Sequence, residues 1–354
     1  MSNSFSAARI ARLICWEAIS TVGESAAETA LLLRAGISNV SLSRFIDDSG
    51  SRIKLCSAPA LPAELLGLQR AVVLASRALS NLVSTLRSAI PRFEECKVYL
   101  ALALPERFAA EGFMLNPEGV SFVENFAASL PIELKNCEIE YFPFGRAAGA
   151  LALQKSVERA DRGCIAICGG VDTQYDWDVL EALAGADRLL TADNVDGLRP
   201  GEGAAFLAVD DGQTNCRVDA EVDIFAVGLA REPHPIGSET PSQARGLSAA
   251  LEAALWPLRE VGRRTNFWLL DNTHEAYATQ ELQNIIARFG DVLGLQSELQ
   301  MPSRDLGDIG AATIPMFLTL GAEAWRRGYA NDAVAIAAAS SDQGARGAVL
   351  FGCV

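Results

Sequence analysis

The chain has 354 residues, half of them hydrophobic, so it can bury a large core as two domains or one duplicated fold and is not predicted to be disordered. Its formal net charge of -14 argues against a protein that binds nucleic acid or anionic membranes, because the basic residues are scattered along the sequence. Proteins and small molecules are the expected partners.

The sequence carries neither a recognisable export signal nor a membrane segment. The apolar stretch after Arg9 and Arg12 is only Leu13–Trp16, shorter than the roughly 7–15 residues of a signal-peptide core. The eight cysteines lack the paired spacing of zinc sites, and the two histidines, His234 and His274, disfavour an imidazole-rich metal site. We expect a cytoplasmic protein with reduced thiols, no metal and no other cofactor.

Helices and strands alternate through the first half of the chain. Residues 63–89 carry apolar side chains at helical spacing, which predicts a long amphipathic helix. The apolar run Val98–Leu104 predicts a buried strand. The next predicted elements are a helix near 118–130, a strand near 137–143, a helix from 146 to about 160, and a strand at Cys164–Cys168. This alternation predicts an α/β fold with a parallel sheet covered by helices.

The second half repeats the order of the first. In each half a helix that opens with small residues leads into an apolar strand, and a glycine-punctuated strand follows. The paired segments are Ala147–Ala150 and Gly310–Thr313, Cys164–Gly170 and Ala333–Ser340, and Gly201–Val209 and Gly344–Gly352. Two halves built on one plan explain this spacing, with a boundary between 1–215 and 216–354 in a polar segment.

Three glycine-containing segments carry a family resemblance. Asp193–Ala205 is the most specific, and Cys168–Asp172 and Ser340–Phe351 add to it. Together they resemble motifs of the β-ketoacyl synthases, and the resemblance extends over nearly the whole chain. It implies the thiolase fold, in which duplicated βαβαβ halves form a layered αβαβα architecture.

The resemblance also locates the family's catalytic groups, which are a cysteine at a helix N-terminus, two histidines and a lysine. The helix dipole stabilises the thiolate, and the histidines polarise the thioester and assist decarboxylation. The cysteine position falls on Phe144 or Arg146, the second histidine on Asp308 and the lysine on Ser303, whereas His274 retains the first histidine. The resemblance therefore implies a degenerate active site.

Arg146 and Asp308 occupy positions that lie close together in the family. One interpretation is a salt bridge between them across the old site, because a buried cation at a helix N-terminus needs a partner. The other is that Arg146 points to solvent and Asp308 caps the helix that begins near Ile309.

Two functions are compatible with these residues. In the first, the chain is a catalytically degenerate partner subunit or adaptor, forms a homodimer or a heterodimer with a related thiolase-like chain, and has a conceivable role with secretion-effector cargo. In the second, His274 supports acyl transfer, thioester hydrolysis or decarboxylation on acyl-CoA or acyl carrier protein. The second needs an open acyl tunnel, whereas Tyr141, Phe142, Phe144 and Arg146 are bulky enough to obstruct it.

Overall fold

A computed structural model describes residues 7–47, 49–111, 114–160, 164–214 and 221–353. The elements of the first half are β1 (Ala11–Ser20), α1 (Ala26–Arg34), β2 (Val40–Ile46), β3 (Arg52–Cys56), α2 (Gly67–Ala89), β4 (Val98–Ala103), α3 (Pro117–Ser129), β5 (Glu138–Phe142), α4 (Ala148–Ala160), β6 (Ile165–Thr173), α5 (Trp177–Gly185) and β7 (Glu202–Asp210).

The elements of the second half are β8 (Val222–Arg231), α6 (Arg245–Glu260), β9 (Thr265–Leu270), α7 (Ala276–Arg288), β10 (Leu293–Gln300), α8 (Ser303–Leu306), α9 (Thr313–Arg326), β11 (Val334–Ser340) and β12 (Ala345–Gly352). None of the helices in the described ranges is both long and apolar enough to span a membrane.

The strand order confirms the predicted repeat. The first half has the order β5-β4-β6-β7-β1 and the second has β10-β9-β11-β12-β8. A short pairing of β1 with β8 joins the two halves into one ten-stranded sheet, and β2 and β3 form a separate hairpin. The predicted boundary between residues 215 and 216 lies outside the described residues.

The expectation of a parallel sheet was wrong for one strand in each half. β7 runs antiparallel to β6 and β1, and β12 runs antiparallel to β11 and β8. The chain passes from β11 to β12 through only four residues, 341–344, which permit a hairpin but are too few for a parallel crossover.

Two buried helices, α4 and α9, form the middle layer. They contact each other and strands of both halves, while α2 covers the outer face of the first half and α6 that of the second. Gly149 allows α4 and α9 to approach closely, since a Cβ atom there would lie 2.5 Å from Cδ of Pro315. The N-terminal ends of α4 and α9 therefore meet in the interior, and the site described next lies at this junction.

Candidate functional site

Two short turns precede the buried helices and bring their N-termini together. Gly145–Ala147 leads into α4 and Gly310–Ala312 leads into α9, and the two turns contact each other. Each turn starts at a glycine in the left-handed region, with φ of 68° at Gly145 and 50° at Gly310. The first turn carries Arg146 into the junction.

Arg146 is clamped by carboxylates. Its Nε lies 3.1 Å from Oδ1 of Asp308 and 3.6 Å from Oδ2 of Asp271, and its Nη1 lies 2.7 Å from Oδ1 of Asp342. The Arg146 side chain is only 6% exposed, so the interpretation that it points to solvent was wrong. The predicted Arg146–Asp308 salt bridge is confirmed.

Asp308 also caps the turn that opens α9, as the other interpretation proposed. Its Oδ1 accepts a hydrogen bond of 3.0 Å from the Gly310 backbone N–H, at the turn that opens α9. Its Oδ2 accepts a hydrogen bond of 2.7 Å from Nε2 of Gln174. Both oxygens of Asp308 are therefore used in holding the junction together.

A second guanidinium extends the network toward the surface. Arg188 makes two hydrogen bonds to Glu275, of 2.7 and 2.9 Å, and its Nη1 lies 2.7 Å from Oδ2 of Asp342. Asp342 thus bridges Arg146 and Arg188. Its backbone N–H donates to the carboxylate of Glu106.

Burial and charge shift the pKa values of these carboxyls in opposite directions. Burial opposes ionisation of Asp342, but Arg146 and Arg188 outweigh it and hold the Asp342 pKa below its usual range. Burial raises the pKa of Asp271 to about 7, which Arg146 offsets only in part. Burial and the nearby Asp342 carboxylate also raise the pKa of Glu106 to about 7.

Solved structures with a similar backbone include ketosynthases, alone and in complexes. The ishigamide ketosynthase/chain length factor is 17% identical over 97% of this chain and 99% of its own, with a TM-score of 0.71. A ketosynthase in complex with its chain length factor from Xenorhabdus doucetiae is 13% identical over the whole of both chains, with a TM-score of 0.69. A third structure contains a type II polyketide acyl-carrier protein in complex with its hexaketide-bound ketosynthase. It is 14% identical over 98% of this chain and 100% of its own, with a TM-score of 0.73.

The chain has the thiolase fold of the ketosynthases. At these identities the likeness establishes the architecture and not the chemistry. A scan of protein-family models gave no match, and a search of curated proteins gave none.

On this thiolase fold, the His274 side chain forms no hydrogen bond or salt bridge with the clamp residues Arg146, Asp271, Asp308 and Asp342. The cavity beside Arg146 is lined by Asp271, Thr273 and Glu275, and His274 is not among its lining residues. The backbone at His274 is left-handed, with φ of 71°. Burial lowers the pKa of the imidazole, and the charges of Arg304 and Arg199 lower it further.

The remaining predicted positions have structural contacts in the fold. The buried hydroxyl of Ser303 donates a hydrogen bond of 2.6 Å to the Asn272 carbonyl. The Phe144 side chain packs against the core, and its carbonyl accepts a hydrogen bond of 2.5 Å from Ser341. The structure therefore brings Arg146 and Asp308 together and leaves Ser303 and His274 outside that contact.

Two buried thiols of the first half have raised pKa values. Burial raises the pKa of Cys56 to about 12 and raises the pKa of Cys168 well above its usual range, so neither thiol ionises near neutrality. Within the described part of the chain, no three histidine, cysteine or acidic side chains are arranged to hold a metal ion.

Sequence reasoning missed six polar residues of this thiolase-fold site, namely Glu106, Gln174, Arg188, Asp271, Glu275 and Asp342. A signal existed for two of them. Asp271 directly follows β9 and Asp342 closely follows β11, and these strands are parallel neighbours whose carboxyl ends meet at one edge.

Proposed function

We propose that this chain is a catalytically inert ketosynthase-like subunit that acts by binding a related thiolase-like chain. The observation that carries the proposal is the Arg146 clamp at the N-terminus of α4. An arginine keeps its proton in proteins and cannot act as a nucleophile. Here it also occupies one of the two positions, Phe144 and Arg146, at which the family resemblance puts the thiol, and three carboxylates hold it there.

In the alternative function the chain is an enzyme, in which His274 acts as a base and Asp308 orients it. Both oxygens of Asp308 are already hydrogen-bonded, to Arg146, Gln174 and Gly310. The shifts at His274 come from its own burial and from Arg199, Arg304 and Asp305, with no contribution from the clamp. These contacts favour the binding function over hydrolysis or decarboxylation.

The edge of the sheet offers a surface for a partner. β5 is the outermost strand of the first half, and no strand of the described ranges pairs with its outer edge. An open edge presents backbone donors and acceptors to another chain. We assign the partner to a second copy or a related ketosynthase, because two of the similar structures contain a ketosynthase and a chain length factor.

An acyl carrier protein is a further proposed partner, since one similar structure contains an acyl-carrier protein with its ketosynthase. Its docking does not require chemistry at Arg146. The subunit would then influence a neighbouring active site through contact alone.

Replacing Ile139 with glutamate tests the proposed interface, because Ile139 is a partly exposed apolar residue on β5. Mass photometry is expected to show the wild-type chain as a dimer, alone or with a co-expressed ketosynthase from the same organism, and Ile139→Glu as a monomer. Ile286→Glu on α7 is the matched control, because Ile286 is 42% exposed and lies in the other half. A wild-type chain that stays monomeric alone and with that ketosynthase contradicts the proposal.

A further inference from the structure

A cleft opens on one side of Arg146. Its volume of about 670 Å³ is in the range of sites for small molecules. The loop after β4, the first turn of α2 and one face of α5 form its walls. Nothing in the proposed partner role uses this space.

The lining of the cleft is strongly acidic. Seven carboxyl side chains and three guanidinium groups face it. The three cations are engaged inside the protein: Arg107 with Asp172 at 2.7 Å, Arg146 with its clamp, and Arg188 with Glu275 and Asp342. The other carboxylates of the cleft therefore form no salt bridge with these three arginines.

Three of those carboxylates lie where α3 and α5 begin. Glu118, Asp176 and Asp178 form no salt bridge with any described residue, and Asp176 caps α5 by accepting the backbone N–H groups of Asp178 and Val179. Burial raises the pKa of Glu118, and the charges of Asp176, Asp172 and Asp178 raise it further against the pull of Arg107. This mouth of the cleft has an excess of negative charge, and a cationic ligand would relieve it.

Gln174 supplies an independent observation. The residue lines the cleft and is only 7% exposed. Its Nε2 donates to Asp308, which fixes the orientation of the amide and leaves Oε1 as a hydrogen-bond acceptor. That oxygen is buried and has no partner among the described residues. A buried acceptor without a donor is unfavourable, so the site calls for an N–H or O–H group.

The rest of the wall is apolar. Its aliphatic lining residues are Leu68, Pro105, Val179, Ala182, Leu183 and Ala186. Since the described residues offer no metal-binding cluster, the cation that fits is organic. We propose that the cleft binds a small organic cation, a primary amine or guanidinium on an alkyl chain, with its charge near Glu118 and Asp178 and an N–H donated to Gln174.

A free amine and the side chain of a bound protein both present this chemistry. Isothermal titration of the whole chain with agmatine and cadaverine tests the first source. Titration with the N-acetyl, N-methylamide forms of arginine and lysine tests the second. We expect saturable binding of the cations at one site. The pair of probes that binds more tightly shows whether the natural ligand is a free amine or a protein side chain. Neutral 1-pentanol and anionic hexanoate are expected not to bind.

Two variants at the exposed mouth make the test specific. Asp178→Asn and Glu118→Gln are each expected to weaken binding about tenfold, because each removes a charge-assisted contact. Glu239→Gln removes an exposed carboxylate outside the cleft and is expected to leave the affinity unchanged. Absence of binding by all four cations up to about 1 mM, or equal binding of hexanoate, overturns the proposal. Neither result depends on whether the chain forms the proposed dimer.

Discussion

Replacing Arg146 with alanine is expected to lower the free energy of unfolding by about 3–5 kcal/mol, as removal of one partner from a buried ion pair commonly does. The substitution leaves Asp308 and Asp342 without their shared cation in a junction where the Arg146 side chain is 6% exposed. Urea denaturation followed by circular dichroism at pH 8 measures the loss. This pH keeps the carboxyls charged and so maximises the effect.

A surface arginine provides the comparison for Arg146. Arg159 pairs with Glu138 and Glu140, but these pairs are open to solvent and screened by it, so Arg159→Ala is expected to lower the free energy of unfolding far less than Arg146→Ala does. Adding Asp308→Asn to Arg146→Ala should recover part of the lost stability, because it removes one uncompensated charge. An Arg146→Ala protein within about 1 kcal/mol of the wild type contradicts the clamp.

The free energy of unfolding is expected to fall as the pH rises from about 5 to 7. Burial raises the pKa of both Glu106 and Asp271 to about 7, above the values of 4.5 and 3.8 for the exposed side chains. The folded protein then binds more protons than the unfolded chain in this window, so stability is lost as the pH approaches 7. The expected loss is between about 1 and 2 kcal/mol for each group between pH 5.5 and 7.

Glu106→Gln separates the contribution of this residue from the general titration of the protein. The amide does not titrate, so the variant should show a shallower decline between pH 5.5 and 7. Its stability at pH 5.5 should be below that of the wild type, because Nε2 cannot accept one of the two backbone N–H groups, of Asp342 and Gln343, that Glu106 accepts. Asp342 does not reverse this decline in stability between pH 5.5 and 7. Its pKa is lowered, so its carboxylate stays charged throughout that range and its stabilising contribution is lost only at lower pH. A wild-type stability that increases between pH 5.5 and 7 in urea denaturation would count against buried, protonated carboxyls at the junction.

Local sequence patterns were sufficient for most of the architecture. The helical spacing of residues 63–89 and the apolar run at 98–104 correspond to α2 and β4, within a few residues at their ends. The repeat was readable because each half uses the same helix, strand and glycine order. The antiparallel direction of β7 and β12 could not be predicted in this way, because strand direction depends on connections that local periodicity does not encode.

The site was predicted only in part. The Arg146–Asp308 contact followed from the family resemblance, which places two distant positions together. Gln174 and Arg188 were missed because their roles arise from tertiary contacts, to Asp308 and Asp342 respectively, that no sequence spacing reveals. Thr273 and Glu275 line the cavity beside Arg146 and His274 does not, which likewise depends on local geometry, including the left-handed backbone at His274.

Intact-mass spectrometry after incubation with acyl-CoA and acyl carrier protein donors tests the central claim most directly. Parallel assays follow thioester hydrolysis and malonyl decarboxylation, with an active ketosynthase as the positive control. The Arg146 clamp predicts an unchanged mass and no turnover by this chain. A stable acyl adduct, or turnover that His274→Ala abolishes, would contradict a catalytically inert subunit.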